Sequence, residues 1–220
     1  MTRNKRTFGR EIGAAAAIAL LALALVGCPT DAPPERAGPR RATVRVGDGV
    51  YMSMAWVAPG SFTMGQAAVA PNAGQTERRV TLTRGFYMGI HPVTQEQFYA
   101  VMGANPSRFQ GVEYPPADGE AQERRPVEMV NWYHAIAFAN RLSILQGLEP
   151  VYHVADVNWE TLTFENVPTS RDEAWDAVTA NWDASGFRLP TEAEWECVDK
   201  ARKTAIMTTK CPASTLGMIS

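Results

Sequence analysis

The chain has 220 residues, with 21 Lys and Arg against 23 Asp and Glu and 45% hydrophobic content. A net charge of -2 excludes a basic nucleic-acid-binding domain and an acidic disordered tail as readings of the whole chain, so no nucleic-acid partner is expected. Seventeen Gly, 15 Pro and 6 Trp suit a loop-rich globular domain rather than a helical bundle.

Arg3, Lys5, Arg6 and Arg10 precede an uncharged run of 15 residues, Ile12 to Val26, which is the layout of an export signal over residues 1–27. The run is shorter than the roughly 20 residues of a permanent membrane span. Leu25-Val26-Gly27-Cys28 resembles a bacterial lipobox, with Cys28 as the lipid attachment residue. The alternative is an ordinary cleaved signal, or an uncleaved anchor, beside a chance cysteine. Buried acyl chains contribute about 0.8 kcal/mol per CH₂, so a multiply acylated Cys28 would hold the chain on membrane lipid. The expected location is therefore the cell envelope or surface. Residues 28–50 contain Pro29, Pro33, Pro34 and Pro39 with four Arg, and suit a lipid-anchored tether.

From Tyr51 onward the chain reads as short strands and helices. Met54–Val57 and Ser61–Gly65 flank the turn residues Pro59-Gly60. Arg79–Thr83 alternates apolar and polar residues, as do Phe86, Met88 and Ile90, and both segments predict half-buried strands. Thr94 and Gln97 form a capping box, Val93 and Phe98 a hydrophobic staple, and the helix they open should end at Gly103. A second helix begins near Asn131, places Ala135, Phe138, Ala139, Leu142 and Leu145 on one face, and stops at Gly147. The segment after it holds Trp159, Trp175 and Trp182, which either stack as a surface for a sugar or peptide or anchor this stretch to the core. A third helix starts at Thr191, with Glu194 completing another capping box.

These segments together resemble the formylglycine-generating enzymes and sulfatase-modifying factors. The matching blocks are Pro59-Gly60-Ser61-Phe62-Thr63-Met64-Gly65, Arg79-Val80-Thr81-Leu82, Phe86-Tyr87-Met88 and Pro92-Val93-Thr94-Gln95-Glu96-Gln97-Phe98. Arg125-Pro126-Val127, Val130-Asn131-Trp132, Ala135-Ile136-Ala137-Phe138 and Arg188-Leu189-Pro190-Thr191-Glu192-Ala193-Glu194-Trp195-Glu196 follow in order. The resemblance implies an α+β, C-type-lectin-like fold over residues 51–196. It also implies copper- and oxygen-dependent oxidation of a sulfatase cysteine to formylglycine, with a sulfatase or another exported protein as partner. Copper is implied for the complete enzyme only.

The family's redox-active Cys pair and its Arg-Gly-Gly-Ser and Gly-Phe-Arg blocks belong after the Glu-Trp-Glu segment. Here residues 197–220 depart from the pattern at Cys197-Val198-Asp199-Lys200, which is read as a frameshift or truncation. No catalytic, metal or cofactor-binding residue is therefore assigned. Cys197 and Cys211 lack a recognisable activating environment, although a chance disulfide between them is possible. Glu192, Glu194 and Glu196 are accounted for by capping and surface charge, and His91, His134 and His153 share no ligand spacing. Two functions stay open: a sulfatase-modifying domain inactive alone for want of its catalytic half, or a surface lipoprotein whose lectin-like domain binds a ligand. Loss of later strands should also leave Tyr51 to Met64 without partners, giving a partly folded, aggregation-prone product unless the last residues or a second chain complete it.

Overall fold

A computed structural model of the chain describes residues 40–65 and 77–204. The segment expected to be an export signal, Cys28, most of the expected tether and Cys211 lie outside the described residues. The elements run β1 (Arg41–Gly47), β2 (Val50–Val57), β3 (Gly60–Met64), β4 (Arg78–Leu82), β5 (Phe86–Gly89), α1 (Gln95–Met102), α2 (Trp132–Leu145), β6 (Tyr152–His153), α3 (Glu173–Asp176), β7 (Thr179–Ala180) and α4 (Glu192–Thr204). The architecture is α+β, with three small antiparallel sheets ordered β1-β2-β5, β3-β4 and β6-β7.

Arg41–Gly47, placed in the tether by its Arg and Pro neighbourhood, is a strand. Ala42, Val44 and Val46 turn inward while Arg41, Thr43 and Arg45 stay exposed, and Asp48-Gly49 closes the hairpin to β2, with Gly49 at φ 75°. The expectation that Tyr51 to Met64 would lack partners is also corrected. β2 is flanked on both sides, by β1 and β5, and β3 is paired along its length with β4. The pairing is local in sequence, so β2 and β3 do not need later strands. Pro59-Gly60 does not join the two into a hairpin; it carries the chain from one sheet to the next.

The main core gathers Met52 and Met54 from β2, Phe98, Val101 and Met102 from α1, and Tyr133, Ile136, Phe138 and Leu142 from α2. The rings of Phe98 and Phe138 stack at 5.6 Å. α1 is capped as expected: Thr94 and Gln97 exchange hydrogen bonds and Gly103 closes the helix at φ 76°. The face assigned to α2 is too narrow. Ile136, Ala137, Ala139, Asn140 and Ser143 are all buried while Leu145 is exposed, because α1 packs against the helix and Val154, Trp159, Val167 and Trp175 of the segment that follows join the same core. Of the three tryptophans after α2, Trp159 and Trp175 join this core edge-to-face at 5.6 Å, whereas Trp182 is 60% exposed with the Arg188 guanidinium 5.2 Å over its ring.

A smaller cluster joins Phe62 and Met64 of β3 to Ala193 and Cys197 of α4, with Val80 and Leu82 beside them. α4 continues through the segment whose sequence departs from the family pattern and covers β3. Its Lys200 donates to the carbonyls of Thr63 and Gly65, both at 2.6 Å, while Glu196 accepts from the Gly65 N–H at 2.7 Å. No helix among the described residues is long and apolar enough to cross a membrane.

Candidate functional site

Two motif blocks far apart in sequence are brought side by side. The Gln95 N–H donates to the Arg125 carbonyl at 2.8 Å and the Val127 N–H to the Val93 carbonyl at 2.9 Å, so Arg125-Pro126-Val127 runs against the start of α1. Between these blocks the chain makes an irregular loop over residues 104–121, closed by a 3-10 turn at Gln122–Arg124. An irregular loop must satisfy its backbone groups without a ladder, and here side-chain amides do so. Buried Gln95 donates to the Phe109 carbonyl at 3.2 Å and accepts from Asn105 at 3.0 Å and Gln122 at 2.9 Å. Gln110 donates to the carbonyls of Ser107 and Asn105, and the Glu128 carboxylate accepts from the Phe109 N–H at 2.9 Å.

Arg125 finishes the arrangement. Its guanidinium, in a side chain only 14% exposed, donates to the carbonyls of Phe109, Tyr114 and Pro115 and to Glu120 at 2.7 Å. Its Nε is buried without a hydrogen-bond partner. The Arg125 bond, joined by the Ala117 N–H, holds the Glu120 carboxyl below its ordinary value. A groove of about 470 Å³ lies over this network, walled by Phe109, Tyr114, Pro115 and Pro126 with Gln95 and Arg125 among its lining. The Phe109 and Tyr114 rings meet edge-on at 5.2 Å, and Phe109 is 51% exposed. Apart from that buried Nε, the amide of Gln95 and the guanidinium of Arg125 are engaged by the loop, and the two carboxylates that also line the groove, Glu120 and Glu128, are bonded to Arg125 and to the Phe109 N–H, so the rings and prolines are the main surface left for a ligand.

Sequence reasoning passed over this loop because it has no periodicity. The usable signal was a run of side-chain amides, Gln95, Asn105, Gln110 and Gln122, around Pro106, Pro115 and Pro116. The histidines and glutamates singled out in the sequence fall elsewhere and apart. His91 is exposed in a bend, His134 is buried in the first turn of α2, and His153 is exposed in β6. Glu194 caps α4, Glu196 binds β3 and Glu192 is exposed.

Copper(I) favours soft thiolate ligands. Cys197, the sole cysteine among the described residues, is buried and disulfide-bonded, and no three His, Cys, Asp or Glu side chains converge there as a metal cage. The described residues do not fit a copper site.

Chaperone protein LppX of Paenibacillus barcinonensis is 40% identical to the chain over 132 residues, 60% of this chain and 41% of that protein. The solved structure of Treponema denticola variable protein 1 is similar with a TM-score of 0.65 at 42% identity, covering 72% of this chain and 56% of that one. A crystal structure of CarF is 26% identical with a TM-score of 0.48, over 67% of this chain and 56% of that one. The chain therefore spans about half or less of the length of these relatives. The sulfatase-modifying factor enzyme 1-like domain matches residues 44–205, which include every described strand and helix from β2 to α4. With its blocks in order and this α+β, C-type-lectin-like fold, the chain belongs to that family.

Proposed function

We propose that the chain is an exported lipoprotein, held on a membrane surface through Cys28, whose domain binds an apolar stretch of another exported protein in the groove over Arg125. On this reading the described residues recognise a partner and do not oxidise it. A signal peptide ending at residue 27 and a short tether from Cys28 to β1 accompany the proposal. The observation that carries it is the internal use of the groove's polar groups: Gln95, Gln122 and Arg125 are bonded to loop carbonyls and neighbouring side chains, leaving apolar walls on a backbone already fixed. Such preorganisation lowers the ordering cost of binding. That one relative is named a chaperone protein fits an apolar recognition surface.

The test uses the full chain and two sets of fluorescent peptides, apolar and charged, of equal length. Saturable binding of the apolar set, weakened about tenfold or more in Phe109→Ser and Tyr114→Ser, is expected. Absence of saturable binding would remove the proposal. In parallel, a Cys-x-Pro-x-Arg peptide incubated with the chain, copper, oxygen and a reductant should keep its thiol; conversion to an aldehyde would assign the chemistry to this chain after all.

A further inference from the structure

The geometry points to a second binding site, a subsite for a neutral pyranose sugar in the hollow beside the first turn of α2. This hollow, about 330 Å³, is lined by Trp132, Tyr133, Thr169, Ser170, Arg171 and Asp176 and shares no lining residue with the groove over Arg125. Its volume is near the lower end for small-molecule sites, enough for one or two sugar rings.

The walls are fixed by the fold. Asn131, the N-cap of α2, donates from its side chain to the Pro168 carbonyl at 2.7 Å and so pins the loop that carries Thr169, Ser170 and Arg171. The Tyr133 hydroxyl donates to the Asp176 carboxylate and accepts from the Asp172 N–H at 3.2 Å, while its ring lies 5.5 Å from that of buried Trp175. Against this frame Trp132 is 47% exposed, its ring 5.8 Å from Tyr133.

The chemistry offered is mixed in a particular way. A pyranose has one face of C–H groups and a rim of hydroxyls, each both donor and acceptor. Trp132 supplies an aromatic face for the first. The rim would meet the exposed hydroxyls of Thr169 and Ser170, which bond to no other described residue, the two Arg171 Nη groups, and the remaining lone pairs of Asp176. Arg171, whose side chain is exposed at the rim, donates from Nε to Asp176 at 2.9 Å, and this carboxylate offsets its charge, so an anionic ligand is not favoured over a neutral one.

Ligand-observed saturation-transfer NMR on the full chain, with the methyl glycosides of glucose, galactose and N-acetylglucosamine as probes, tests the site. At least one should bind saturably at about millimolar concentration, as expected for so small a ligand. Trp132→Ala should weaken it about tenfold or more, and Trp132→Phe and Ser170→Ala, which leave the frame in place, by less. No saturable binding of any of the three overturns the site, as does undiminished affinity in Trp132→Phe and Ser170→Ala together. Binding confined to methyl glucuronide or inorganic phosphate also overturns it, since that would mark an anion site on Arg171.

Discussion

Asn140 is wholly buried in the middle of α2, and a buried amide is tolerated only when its donors and acceptors are met. Its Oδ1 accepts from the N–H groups of Val151 and Tyr152, and its Nδ2 donates to the Tyr152 carbonyl at 2.7 Å. One side chain thus does for β6 what a neighbouring strand would do. Asn140→Ala would strand buried backbone groups and should cost about 3 kcal/mol or more, read as a lowered urea midpoint. Asn140→Asp keeps both acceptors but faces the Tyr152 carbonyl with no donor, and should also destabilise. His134 is a second residue whose role lies in the backbone. It occupies the capping-box position usually held by Glu or Gln, accepting at Nδ1 from the Asn131 N–H at 3.3 Å, with its ring stacked 4.6 Å from Phe164. Nε2, which carries the proton of the neutral ring, is buried without a partner, and burial holds the group below its ordinary 6.5. The unfolded chain therefore binds the proton more readily, and stability should fall as pH drops below 6.5 toward the lowered folded value. His134→Gln, which restores the usual box, should remove that loss when urea melts at pH 7.5 and 5.5 are compared.

At the scale of elements, what could be read from sequence was what is built locally. Thr94 with Gln97 and Thr191 with Glu194 announced α1 and α4, because a capping box is chemistry within four residues. The width of α2's buried surface was not legible, since it depends on residues 151–175 folding back over it. Nor was the groove: Gln95 sits in the middle of a well-read helix start, and only the fold reveals that its amide serves a loop ending at residue 124. The first turn of α4 makes a testable case of a local signal with a tertiary partner. Arg188 binds both carboxylate oxygens of Glu194, at 2.6 and 2.7 Å, while the Thr191 N–H donates to the same carboxylate at 2.8 Å. Burial pushes the Glu194 carboxyl up, but the bonds from Arg188 and Thr191 outweigh it and hold the group below its ordinary 4.5. The stability this contributes is complete above 4.5 and is lost as pH falls through the lowered folded value. Glu194→Gln, leaving Arg188 without its counter-charge, should cost about 2 kcal/mol at neutral pH and flatten that acid loss, as followed by far-UV circular dichroism.

For the whole molecule, the organisation of the core decides how the chain should unfold. α1 and α2 contribute to the same cluster as β1 and β2, and α4 closes a second cluster over β3. The sequence pointed to the family and to its α+β fold through the order of its blocks, yet it suggested an open sheet, because the partners of β2 were sought after residue 196 when they stand on either side of it. β1 escaped notice for a related reason: Arg41 and Arg45 look like tether charges until the inward Val44 and Val46 are paired with β2. Paired strands and covered faces predict one cooperative thermal transition, with tryptophan fluorescence and far-UV circular dichroism coinciding. Separate transitions, or aggregation without one, would restore the incomplete fold expected from the sequence.

The clasp between α4 and the end of β3 bears on where this protein can accept foreign sequence. Met64 and Arg78 face each other across the β3-β4 ladder, and Gly65 is held by Glu196 and Lys200. The two ends of the connection are therefore fixed close together whatever lies between them. Closing a longer loop costs free energy only as the logarithm of its length, about 0.6 kcal/mol for each doubling. An epitope or a small reporter domain spliced between Gly65 and Glu77 should leave the rest of the domain intact, which makes this connection the natural place to label the protein without touching either proposed site.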